Sequence, residues 1–175
     1  MLSVLIETCN HEEELARTLA SLVGGAVEGV VREVIVCDTG STDNTHLVAE
    51  HAGCRYVAEG GIGTALRQAK GEWLALLEPG ARLCDGWMDG VLDHVARSTA
   101  PACFTRSKQG RAKFLVRVFS AKRPLADGLL ITKRQAAALV QKARHADDIA
   151  RGLAMKRLDG EIFVAGRPAA TSQRK

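Results

Sequence analysis

The 175 residues predict an α/β fold on a mostly parallel sheet,. Three observations carry that prediction. Short apolar, β-branched runs recur at 2–6, 30–37, 55–58 and 72–77. Segments of helical spacing separate them, and the runs are continuous rather than alternating, as strands buried on both faces require. The strongest runs also end in polar or turn-forming residues, at 7–10, 37–43 and 78–80. Ligands bind outside the carboxyl ends of strands in open parallel sheets, so these three turns are where a site is expected.

The elements follow in order. The opening strand breaks at Thr8-Cys9-Asn10, and Asn10 with Glu13 three residues later predicts a capping box. Leu15, Leu19, Leu22 and Val23 give the next helix its apolar face, and Gly24-Gly25 is expected to stop it. Val-Val-Arg-Glu-Val-Ile-Val-Cys at 30–37 is the strongest strand. A polar turn at 38–45 leads into a helix carrying Leu47, Val48 and Ala52. A weak strand at 55–58 precedes Gly60-Gly61-Ile62-Gly63, which opens a short helix through Arg67. The run at 72–77 is the fourth strand.

After Arg97 the texture changes. Strands are expected at 102–106 and 113–119, around the basic turn Ser107-Lys108-Gln109-Gly110-Arg111. Helices are expected at 132–142 and 146–158, a short strand at 162–164, and a frayed tail from 168. Neither repeats nor low-complexity linkers interrupt the chain, so one domain over 1–175 is expected.

Composition bounds the function. With 46% hydrophobic and 25% charged residues, the chain is an ordinary globular protein, which excludes collagen-like, disordered and membrane-spanning classes,. The net charge of +4 hides a split. Residues 1–100 carry 15 acidic against 7 basic side chains, whereas 101–175 carry 5 against 17. A basic half can mark a nucleic-acid or acidic-surface partner. Here it holds only Phe104, Phe114, Phe119 and Phe163 as aromatics and no nucleic-acid motif, so a solvated face is the simpler reading and nucleic acid is not the expected partner. The five cysteines include no C-x-x-C pair, which argues against zinc or redox chemistry and for a reducing, cytoplasmic compartment,. The first seven residues lack the basic region of a signal peptide, and no apolar run reaches the ~18–20 residues of a transmembrane segment. Peripheral membrane contact stays open.

Several motifs are set aside. Gly61-Ile62-Gly63 lacks the third glycine of a dinucleotide fingerprint, with Leu66 in its place, and reads as a tight turn. No phosphate-cradling P-loop occurs. His11-Glu12-Glu13-Glu14 is not H-E-x-x-H, and His46 and His51 do not share a helix face. Cys9 and Cys37 end two strands and read as small buried core thiols, since neither has a sequence-evident base. Trp73 and Trp87 read as core anchors. Asp147-Asp148 either stabilises the positive end of its helix or does chemistry.

Three segments resemble the family 2 glycosyltransferases of GT-A fold. Residues 2–10 with the following acids look like that family's opening strand and turn. Val-Ile-Val-Cys-Asp-Thr-Gly-Ser-Thr-Asp-Asn-Thr at 34–45 is close to its second-strand signature. Ala-Lys-Gly-Glu-Trp-Leu-Ala-Leu-Leu at 69–77 matches its approach to the metal-binding aspartates. Asp147-Asp148, with Arg157-Leu158-Asp159-Gly160 beyond, is similar to the family's acidic pair and the segment after it.

The resemblance implies a three-layer α/β/α GT-A fold with a shortened C-terminal part, 1–97 forming the nucleotide-sugar half and 98–175 the acceptor side. It implies inverting transfer of a sugar from a nucleotide-diphosphate donor to an acceptor. Thr8, Asn10 and Asp38 would hold the donor's base and ribose, with Gly61 and Arg67 nearby, and Asp148 or Asp147 would be the general base. The family's metal site implies Mg2+ or Mn2+. Where it places D-x-D, however, this chain has Glu78-Pro79-Gly80, so Glu78 would be the one remaining ligand. Two functions follow. One is active transfer with weak metal dependence, helped by cations such as Arg106, Lys108, Arg111 or Lys113. The other is a degenerate module that binds a nucleotide, a nucleotide sugar or a protein partner without turnover.

Overall fold

The computed structural model describes residues 1–108 and 123–166. In chain order its elements are β1 (Leu2–Thr8), α1 (Glu12–Val27), β2 (Val31–Asp38), α2 (Thr45–His51), β3 (Arg55–Val57), α3 (Gly61–Gln68) and β4 (Trp73–Leu77). Then come β5 (Arg82–Leu83), α4 (Trp87–Arg97), β6 (Ala102–Arg106), β7 (Leu129–Thr132), α5 (Lys133–Val140), α6 (Ala146–Ala150) and β8 (Lys156–Phe163). The strands form one sheet in the order β3-β2-β1-β4-β7-β6-β8-β5. Its first four members are parallel, and β7 joins antiparallel between β4 and β6. The second half is thus mixed, with β6 and β8 parallel and β5 and β8 antiparallel.

Alternating side chains divide the core into two layers, because successive Cβ atoms on a strand point to opposite faces. Val4, Ile6, Ala75 and Leu77 pack on the side of α1, α2 and α4. Leu5, Leu74, Leu76 and Ile35 pack on the side of α3, α5 and α6. The three-layer α/β/α arrangement follows directly.

Four local expectations are corrected. The helix expected to end at Gly24-Gly25 continues to Val27. A Cβ on Gly25 would lie 2.6 Å from the Trp87 ring, so that glycine lets α4 close on α1 rather than ending a helix. Gly24 has open space around the same position. Gly24→Ala is therefore expected to stabilise the protein by about 0.5–1 kcal/mol, because alanine is the better helix former. Gly25→Ala should lower the urea midpoint instead, by about 1–3 kcal/mol of overpacking. A stabilised Gly25→Ala protein would contradict the packing role.

The second correction concerns Asn10, which is not a helix cap. Its φ is +55°, the N-cap is His11, and no side chain bonds across the cap. Third, the helix expected over 146–158 ends at Ala150. Gly152, at φ +77°, turns the chain out, and burial then alternates at Leu158, Gly160 and Ile162 with the period of two that makes β8,. Fourth, β7 is a strand that the sequence reading did not anticipate. Thr132 caps α5 just after it, accepting from the Gln135 N–H while Gln135 reaches back,. The strand expected at 113–119 and the tail from 168 lie outside the described residues.

Candidate functional site

The parallel registers bring the three polar strand ends together. Thr8 lies opposite Asp38, and Glu7 opposite Cys37. Ile6 lies opposite Leu77, so Glu78, just past the end of β4, follows beside Glu7. The order across the sheet is Asp38, then Thr8 and Glu7, then Glu78.

Asp38 is 6% exposed, and its carboxylate is used within the protein. It accepts the N–H of Ser41 at 2.9 Å and of Gly40 at 3.3 Å, together with the Ser41 hydroxyl, and the Tyr56 hydroxyl stands near it. Burial pushes the Asp38 carboxyl up, but these hydrogen bonds outweigh it and hold the group below its ordinary value,. Burial and the same carboxylate push the Tyr56 hydroxyl up to about 12. Thr39 donates its N–H and hydroxyl to the Thr8 carbonyl at 2.9 and 3.1 Å, tying the ends of β1 and β2.

Asn10 completes that tie. Its Oδ1 accepts from the Thr42 N–H at 2.7 Å, the Thr42 hydroxyl at 3.2 Å and the Asp43 N–H at 3.3 Å. Its left-handed backbone, which asparagine tolerates well, aims the side chain there,. Asp43 in turn accepts from the Glu12 N–H at 3.2 Å and from Thr45. The two loops therefore form one rim. Thr8, Asn10 and Asp38 come together as the sequence reading expects, although Asn10 and Asp38 spend much of their capacity on building the rim.

Gly61 opens α3 beside a left-handed Gly60. Arg67 sits in the last turn of α3, but its side chain runs back to Thr64 at 2.9 Å, toward the strand-end face. Glu7 accepts the Ala146 N–H at 2.8 Å and lies 3.3 Å from His145 Nδ1, which docks α6 on the end of β1. The acidic pair divides. Asp148 Oδ2 accepts the N–H of Arg144 and His145 at 3.0 and 3.2 Å, and Arg151 lies 3.4 Å from its Oδ1. Those backbone bonds hold the Asp148 carboxyl below its usual value, the helix-end role. Asp147 instead accepts the Leu125 N–H at 3.1 Å, across the gap from α6 to the segment beside β4.

The residues at the family's metal position do not fit a divalent ion. The Glu78 carboxylate is gripped by Arg123, with Nε at 3.1 Å from Oε1 and Nη2 on Oε2. Gly80 brings no side chain, and a Cβ there would lie 3.3 Å from Ala165 and 3.4 Å from Glu14 at a φ of +88°. Among the described residues no three His, Cys, Asp or Glu side chains converge to hold a metal.

Other expectations sort simply. Cys37 is buried, and burial with the nearby Glu7 pushes its thiol up to about 12, which suits an inert core thiol,. Cys9 is exposed, against expectation, because β1 has ended before it and its side chain leaves the sheet. All five cysteines are free thiols. Trp73 and Trp87 are buried core residues. Part of the basic half is structural: Arg106 and Arg157 both pair with Asp127. Arg111 and Lys113 lie outside the described residues. Among the described residues no helix is long and apolar enough to cross a membrane.

Parallel strand ends, a clasped rim and helices on both faces of the sheet define a GT-A architecture. The family model for glycosyl transferase family 2 matches residues 3–112, and the chain belongs to that family. Solved structures agree on the fold. TarS 1–349 from S. aureus in complex with UDP superposes with a TM-score of 0.62 at 16% identity, over 85% of this chain and 52% of that one. Glucosyl-3-phosphoglycerate synthase from Mycobacterium tuberculosis in complex with UDP gives 0.56 at 19% identity, over 79% and 59%. The same synthase with Mn2+, UDP and glucosyl-3-phosphoglycerate gives 0.59 at 17%, over 96% and 73%. This chain therefore spans a little over half the length of the first two. No curated protein matches it by sequence.

Proposed function

We propose that this chain carries the donor site and transfer centre of an inverting glycosyltransferase that uses a nucleoside-diphosphate sugar. The observation that supports it best is the clasped rim of Thr8, Asn10 and Asp38 at the ends of β1 and β2, with Asp147 carried on α6, which docks on Glu7 of β1. UDP in the related TarS and synthase structures supports a uridine donor. Thr8 and Asp38 take the base and ribose, with Gly61 and Arg67 closing the nucleoside end. One domain over 1–175 is proposed, 1–97 serving the donor and 98–175 the acceptor, and the five free thiols suit a cytoplasmic setting,.

In transfer, the acceptor hydroxyl attacks the anomeric carbon in line with the departing diphosphate, and a carboxylate takes the hydroxyl proton. Between the two candidates, Asp147 is the better placed base, because Asp148 is committed to its own helix end. Asp147→Asn is expected to lower kcat by about a hundredfold or more while nucleotide affinity stays the same. Asp148→Asn should mainly lower stability. Single-turnover kinetics beside calorimetry reads both, and full turnover in Asp147→Asn would move the base elsewhere.

A second reading is a binding module without turnover, favoured by Gly80 standing where a metal ligand is expected. A thermal-shift screen of UDP- and GDP-sugars, followed by a donor-hydrolysis assay, separates the two. Binding with no hydrolysis or transfer supports the module, and no nucleotide binding removes the transferase and leaves the module only a protein partner.

A further inference from the structure

The geometry points to Arg123 as the group that receives the donor's diphosphate, in the position where the family's metal site would stand. We infer this on top of the nucleotide-sugar reading above.

Position is the first argument. Glu78 directly follows β4, and it holds the Arg123 guanidinium through two side-chain hydrogen bonds. Across the sheet, Asp38 and Glu78 are separated by β1, so they lie two strand spacings apart, about 10 Å,. A nucleoside lying over β1 and β2 would thus send its phosphates toward Arg123. The neighbouring Leu125 N–H is held by Asp147, which puts the proposed base beside the same segment.

Hydrogen-bond capacity is the second. A guanidinium carries five N–H donors. Arg123 commits three, two to Glu78 and one from Nη1 to the Ala165 carbonyl at 3.2 Å. Among the described residues that leaves one donor on each Nη, on a side chain that is 33% exposed. Two forked donors on a fixed plane match two phosphate oxygens better than a lysine could. Glu78, at 13% exposed, fixes the plane and keeps the guanidinium from swinging away.

Charge is the third. Two carboxylates with a dication sum to zero, and so does one carboxylate with one guanidinium. The exchange therefore leaves the local charge unchanged while moving the cation from solution into the chain. Gly80 makes the exchange hard to reverse. Its N–H bonds the Glu14 carbonyl at 3.0 Å and the Thr18 hydroxyl at 2.8 Å, and Ala165 and Glu14 crowd the place a second carboxylate would need.

The test is calorimetric titration of the full chain with UDP and GDP, each beside its nucleoside, in EDTA and in excess Mn2+. UDP or GDP should bind about equally in both buffers and well above its nucleoside. Arg123→Gln should weaken the diphosphate by about tenfold or more and leave the nucleoside unchanged. Arg123→Lys should recover part of the loss. Binding that collapses in EDTA and returns with Mn2+ overturns the proposal, as does a diphosphate that binds no better than its nucleoside. In both cases the nucleotide reading survives. If no nucleoside or nucleotide binds, that reading falls and the assignment of Arg123 falls with it. Should Arg123→Gln fail to fold, the wild-type comparison of EDTA with Mn2+ decides alone.

Discussion

Asp38→Ala is expected to cost about 2–4 kcal/mol of stability and to weaken nucleoside binding by more than tenfold. The carboxylate gathers two backbone N–H groups and the Ser41 hydroxyl, in a position only 6% exposed. Alanine orphans all three donors, and a donor left without a partner costs about 1–3 kcal/mol where water cannot replace it. Gly40 and Ser41 retain some access to water, so the sum stays below that upper bound. Asp38→Asn keeps one acceptor oxygen and should fall between. The midpoint of urea unfolding at unchanged m measures the loss.

The same variant has a pH signature. The Asp38 carboxyl titrates below its ordinary 3.8 in the folded protein, so its contribution is complete above that value,. It is lost as pH falls through the folded-state pKa. Wild-type stability should therefore decline more steeply than that of Asp38→Ala as pH is lowered from about 5 toward 3. Parallel curves would mean that the carboxylate is not held by the contacts described.

Gly160→Val is the substitution with the next largest effect, about 3 kcal/mol or more. At this point α4 meets β8 backbone to backbone. A Cβ on Gly160 would lie 3.0 Å from Trp87 Cα and 3.1 Å from its carbonyl oxygen. Seen from the other side, a Cβ on Gly90 would lie 2.7 Å from the Gly160 N–H nitrogen. Neither neighbour is a flexible side chain that can step aside. The side-chain carbons added by valine would have to separate the helix from the strand, and with it Trp87 from α1. Gly90→Ala should act in the same direction despite alanine's better helix propensity. Thermal unfolding of the two variants checks this, and a Gly90→Ala protein as stable as wild type would show that the contact can relax.

The first half of the fold is legible in the sequence because its strands are continuous apolar runs that need no partner to be recognised. The strands at 2–6, 30–37, 55–58 and 72–77 all appear within a residue or two of expectation. The second half is harder for stated reasons. β7 has four residues, too few to show a period, and it exists because β4 and β6 accept it from both sides. In β8, Arg157 and Leu158 look helical until Gly152 breaks the chain upstream. Gly25 and Asn10 mislead because their roles are tertiary: one admits a tryptophan from α4, and the other reaches a loop 32 residues away.

The candidate site divides in the same way. Thr8, Asn10 and Asp38 stand at ends of strands that the pattern already locates. Tyr56 enters by standing near Asp38 from the neighbouring strand, and Arg123 through a pairing 45 residues from Glu78. Glu7 meets α6 across 139 residues. No local signal marks such pairings, since they depend on where the sheet places the partners.

The clasp between the first two loops has a dynamic consequence. Because Asn10, Thr39 and Asp43 each bridge from one loop to the other, neither loop can open without breaking bonds to its partner. The amides of Glu12, Thr39, Thr42 and Asp43 should then exchange with solvent as one cooperative unit rather than as two independent hinges. A nucleoside arriving at this rim would find its shape already set, and little conformational entropy would remain to be lost on binding.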